Sequence, residues 1–106
     1  MTGGQGYLRP VREVSKAELQ RIFNEGRYLE RLQANELLAS VERSSLAPRG
    51  RGQPPGTMSQ MVWYFDLQLN RVALVHQYRC PDGTIGASGK PDPKRILLDG
   101  EILYVT

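Results

Sequence analysis

Fourteen consecutive residues, Ser44 to Thr57 (SSLAPRGRGQPPGT), hold three prolines, three glycines and two arginines, and they restrict the fold more than any other stretch of the chain. Proline lacks the amide that a helix interior or a central strand needs, and glycine loses the most freedom on ordering, so no continuous element is expected through this tract. The sequence is thereby divided into two parts whose periodicities can be read separately. Its 106 residues suit a single domain, 1–106, with residues 44–58 as an internal Pro/Gly/Arg loop.

The first part reads as helical. Ser15-Lys16-Ala17-Glu18 has the spacing of a capping box, in which Ser15 accepts from the Glu18 amide and the Glu18 side chain reaches back. Leu19, Ile22 and Phe23 follow on one face, and Leu29, Leu32, Leu37, Leu38 and Val41 continue an apolar pattern beyond Gly26. Glycine in a helix interior costs about 1 kcal/mol relative to alanine, which predicts one kinked helix or two helices over residues 14–43. Residues 1–13, with Gly3, Gly4 and Gly6, read as a loose N-terminal segment.

The second part, residues 59–106, reads as antiparallel β. Met61 to Leu69 and Val72 to Arg79 are rich in β-branched and aromatic residues and flank Asn70-Arg71, a candidate two-residue turn. That turn predicts that Leu69 faces Val72, Leu67 faces Leu74, Phe65 faces His76 and Trp63 faces Tyr78. This set is the more apolar and is expected to face the helices, with Val62, Tyr64, Ala73 and Val75 on the other side. A second hairpin is signalled by Asp99-Gly100 between Lys94 to Leu98 and Glu101 to Val105. The expected fold is α+β: an N-terminal helical layer packed on an antiparallel sheet of about four strands.

Composition narrows the function classes. With 40% hydrophobic and 24% charged residues the chain is ordinary for a globular protein, and its longest apolar run, Met61 to Phe65, is far too short to span a membrane. Met1 to Gly6 lacks the basic and apolar regions of a signal peptide, so the expected location is cytoplasmic and no membrane partner is expected. A lone Cys80 and a lone His76 provide neither an internal disulfide nor a zinc site, and no metal or cofactor is expected. The net charge is +3, and residues 1–57 carry all of the excess, eight of their nine cations being arginine. Arginine binds phosphate and carboxylate through a planar fork, which favours an anionic partner.

The richest candidate site is His76 to Arg95 (HQYRCPDGTIGASGKPDPKR), a strand end running into a Gly/Pro loop with a basic pair behind it. His76 is expected beside Trp63 and Tyr78, an aromatic setting for a planar ligand. Gly83, Gly86 and Gly89 do not make a dinucleotide fingerprint, because Pro91 and Pro93 oppose the helix that must follow. They permit an anion nest of backbone amides and the Ser88 hydroxyl, next to Lys90, Lys94 and Arg95. The same residues also serve as turn chemistry on a solubilising edge, and His76 on an apolar face also serves as a core residue.

Pro91-Asp92-Pro93-Lys94-Arg95 after a glycine-rich loop resembles the C-terminal end of the ribosome-cleaving colicin-type ribonuclease domains over those residues. His76 is not followed at short distance by the glutamate of that family's Asp, His and Glu arrangement, so no catalytic residue is carried over.

The expected function is that of a small basic protein, not an enzyme, binding nucleic acid or an anionic small molecule. Its ligand-binding residues are Trp63, His76, Tyr78, Arg79, Ser88, Lys90, Lys94 and Arg95. One alternative is a small ribonuclease-like enzyme with His76 as general base or acid and Tyr78, Arg79 and Lys94 steadying the phosphate. Another is a homodimeric interaction module joined through Val62, Tyr64, Ile102 and Tyr104. Salt-dependent binding, RNA cleavage and sizing by light scattering separate the three.

Overall fold

Ser15 starts the first helix as its spacing predicts: its hydroxyl accepts from the Glu18 amide at 3.0 Å, and helix α1 runs over Lys16–Glu25. The reciprocal half of the box is absent, because the Glu18 carboxylate is taken by Arg21 at 2.7 Å. Arg27 then adopts a left-handed conformation, φ 54°, and a second helix, α2, covers Tyr28–Gln33. The computed structural model describes residues 10–48, 52–86 and 89–106.

Among the described residues the fold is α+β, with two helices on a six-stranded mixed sheet. Its strands are β1 (Val11–Glu13), β2 (Leu38–Leu46), β3 (Met58–Phe65), β4 (Arg71–Arg79), β5 (Asp92–Leu98) and β6 (Glu101–Tyr104), in the spatial order β1-β6-β5-β4-β3-β2. Two strands were not expected. Residues 11–13, read as loose, pair parallel with β6, so the sheet is not purely antiparallel. Residues 38–46, read as helix and loop, form an edge strand because Asn35, at φ 62°, ends the helical path and β3 supplies a ladder. Strand β2 has weak β-propensity of its own, and tertiary pairing decides its state.

The Asp99-Gly100 hairpin forms as expected, Leu98 opposing Glu101 and both turn residues having positive φ. The Asn70-Arg71 turn does not. Asp66 gathers the connection instead, its carboxylate accepting from the Gln68 and Asn70 amides at 3.0 and 2.9 Å. Trp63 therefore opposes Leu74 and not Tyr78, and Met61 opposes His76. This slide is even, so the same residues share a face, but the face that meets the helices is the opposite one. Leu67 and Leu69, which made the expected core side look apolar, lie exposed in the connection.

The core consists of Val62, Tyr64, Ala73, Val75, Ile96 and Leu103 from the sheet, under Leu19, Phe23, Tyr28 and Leu37. Phe23 stacks on Tyr28 with centroids 5.4 Å apart and packs against Tyr64 at 6.1 Å. Pro91 and Pro93 are fully buried here, and Pro93 is tolerated inside a central strand because the β4–β5 register shifts beside it. Strands β2, β3 and β4 extend beyond this core. Outward of Val62 and Val75 none of their residues is buried.

Candidate functional site

The helices pack on the Tyr64 face and leave the other face of the sheet uncovered. Pairing register arranges the residues of this open face in rows. The innermost row is Ser40, Trp63, Leu74, Arg95 and Tyr104; the next is Arg43, Met61, His76 and Asp92; the outermost is Ser45, Ser59 and Tyr78.

Trp63 and Leu74 are buried without belonging to the main core. The Arg71 guanidinium lies 4.5 Å from the Trp63 ring centroid, and the indole N–H donates to Glu42 at 2.9 Å. This pair of contacts covers the ring that the sequence offered to a ligand. It also explains the register shift between Val41 and Arg43: the extra residue, Glu42, turns toward Trp63. Arg43 follows, opposite Met61 on the open face, with no ion-pair partner among the described residues.

His76 is half-buried. Its Nε2 lies 2.8 Å from the Ser59 hydroxyl, and its ring meets Tyr78 edge-on with centroids 4.9 Å apart. Burial lowers its pKa below the usual imidazole value; the Lys94 ammonium adds to this and Asp92 opposes it. The imidazole is therefore neutral near pH 7. Asp92 opposes His76 across the ladder but bonds Lys94 at 2.9 Å and lies 3.9 Å from Lys16, so it does not orient the ring.

The predicted site residues are thus only partly gathered. His76, Tyr78, Lys94 and Arg95 share one region, with Lys94 neutralised by Asp92 and Arg95 free of ion pairs among the described residues. Arg79 lies on the other side of β4, beside Gln77's face, with its guanidinium near Gly83. Lys90 is exposed before β5, and Ser88 lies outside the described residues. Of the four positions expected to form a homodimer surface, Val62 and Tyr64 are core residues, whereas Ile102 and Tyr104 are half-buried. Val62 and Tyr64 were misassigned for the same reason as the sheet face, whereas Tyr104 lies in the innermost row of the open face.

Arg43, Ser45 and Ser59 were not singled out by sequence. With Ser44 and Met61 they line an open groove of about 510 Å³ beside the His76 imidazole. The available signal was the Ser-rich run around Arg43, which is readable only once β2 is recognised as a strand. Among the described residues no cluster suited to a metal ion occurs, and no helix is long and apolar enough to cross a membrane. Comparison with known proteins identifies no relative: no family model, curated protein or solved structure matches the chain significantly.

Proposed function

We propose that the protein is a non-enzymatic binding module for single-stranded nucleic acid, and that the open sheet face is its platform. The observation that carries this reading is the pairing of two uncommitted guanidiniums, Arg43 and Arg95, on either side of the His76–Tyr78 aromatic pair. Strands β2 and β5 are three strand spacings apart, roughly 14 Å, which suits a polyanion lying across the strands more than a single small anion. Single-strand binders combine such a cationic track with rings on which bases stack, and a sheet face is a recurrent platform for both.

Charge distribution supports the same reading. In the sequence, residues 43–61 and 76–86 contain Arg43, Arg49, Arg51 and Arg79 against Asp82 alone. That surplus equals the chain's whole +3, and the ten other cations balance the ten other acids. A cytoplasmic location belongs to the proposal, since a lone thiol and an internal nucleic-acid ligand both suit a reducing compartment.

The test is fluorescence anisotropy with a labelled single-stranded RNA at several salt concentrations. Two phosphate contacts, from Arg43 and Arg95, predict a slope of log affinity on log salt of about −1.4, and replacing both by Gln should flatten it. Absent binding at low salt, or a slope unchanged in the double variant, overturns the reading. Shortening of the RNA during the incubation, lost in His76→Ala, replaces it with ribonuclease chemistry.

A further inference from the structure

The groove between β2 and β3 differs from the rest of the open face in that its polar groups converge. Arg43 contributes a guanidinium whose nearest acid in sequence, Glu42, is already held by the Trp63 indole. Ser45 and Ser59 oppose each other across the two strands, and both line the groove. Behind Ser59 stands His76, hydrogen-bonded to it at 2.8 Å. The Arg43–Met61 and Ser45–Ser59 ladder pairs point to one face, and no carboxylate lines the groove.

We infer that this groove is a subsite for a terminal phosphate, the phosphomonoester end of a nucleotide or oligonucleotide. The inference rests on the nucleic-acid reading and specifies which part of the strand is recognised. A phosphodiester presents two free oxygens, whereas a terminal phosphate presents three and carries up to two charges near neutral pH. The guanidinium fork and two hydroxyls supply enough donors for the latter, and charge-assisted hydrogen bonds of this kind are about twice as strong as neutral ones.

The Ser59–His76 bond couples the subsite to protonation. When Nε2 is unprotonated, Ser59 spends its hydroxyl hydrogen on the ring. When Nε2 carries a proton, in the neutral Nε2–H tautomer or in the imidazolium, the ring donates to Ser59, whose own hydrogen is released toward the groove. A bound dianion selects the second arrangement. The groups that bear on the ring are Ser59 and Met61 from β3, Tyr78 and Leu74 from β4, Asp92 and Lys94 from β5, and Lys16 of α1 through Asp92.

The experiment compares two short single-stranded RNAs of one sequence, one 5′-phosphorylated and one with a free 5′-hydroxyl, with AMP as a third probe. The single tryptophan, Trp63, lies one row from the groove and serves as the fluorescence reporter. The phosphorylated RNA should bind about tenfold more tightly near pH ~7.5, where the terminal phosphate is mostly dianionic. Ser59→Ala and Arg43→Gln should each abolish the preference, while Ser59→Thr, which retains the hydroxyl, should preserve it. Equal affinity for the two RNAs overturns the subsite and leaves the platform intact. A response to AMP that Arg43→Gln removes, without binding of either RNA, keeps the phosphate subsite and overturns the nucleic-acid reading. No response to any probe overturns both.

Discussion

Strands β3 and β4 pass through two different environments, and the contrast explains where this molecule is stable and where it is available for binding. Around Tyr64 and Ala73 the sheet is sealed by Phe23 and Leu19, and burial of apolar area supplies the stability. Farther out the same strands have no helix over them, and cross-strand polar pairs take over. On one face Gln60 donates to Ser44 at 3.2 Å and accepts from Gln77 at 3.0 Å; on the other Ser59 bonds His76. Such pairs contribute only about 0.2–1 kcal/mol each. The outer arm is therefore expected to open locally at lower free energy than the core, a property common in binding elements.

The largest test of this division is a pair of truncations. Phe23→Ala removes a ring that is 2% exposed and should cost about 3–5 kcal/mol, a large share of the total for a domain this size. Leu46→Ala, at the outer end of β2 and 71% exposed, should change stability by less than about 0.5 kcal/mol. Urea denaturation measures both, and comparable losses would mean that the arm is packed after all.

An intermediate effect is expected at Gly26. Its φ of −77° suits any residue, so glycine is required here by space and not by conformation. An added Cβ would press on the Tyr28 ring, 2.9 Å from its Cδ1, and force the ring away from its stack on Phe23. Gly26→Ala should therefore cost about 1–3 kcal/mol, whereas the same change at an open site usually stabilises. A stabilised variant would show that the Tyr28 ring moves freely, and the sealed half would be looser than its burial implies.

Local chemistry was legible in the sequence wherever a few adjacent residues decide it. Ser15 at the helix start, the break after Gly26 and the Asp99-Gly100 turn are of this kind, and alternation assigned Trp63, Leu74, His76 and Tyr78 to one face. What failed depended on distant partners. The sequence around β2 does not specify a strand until β3 pairs with it, and β1 requires the C-terminal strand β6. The inverted sheet face traces to Asp66, whose carboxylate shortens the strands and removes Leu67 and Leu69 from the apolar count. The candidate site inherited these errors: His76 and Arg95 were found, but Arg43 and Ser59 were hidden in a segment read as helix and loop.

The smallest effect lies at the boundary between the two halves, where His76 titrates. Its pKa in the fold is below the ordinary value of 6.5, so between those two values the unfolded chain binds the proton more readily. Stability is then fully retained above about pH 6.5, declines as pH falls through the window below it, and levels off once the folded imidazole is also protonated. Asp66 and Asp82 have lowered pKa values too, and their contributions are lost as pH falls through the ordinary carboxylate value and below it. Hydrogen exchange at pH 7 and 5.5 can localise the decline. The amides of Gln60 and Gln77 should lose protection before those of Val62 and Val75, and His76→Gln should remove the difference. Uniform loss across both pairs of residues would tie His76 to the core and erase the distinction between a sealed half and an open arm.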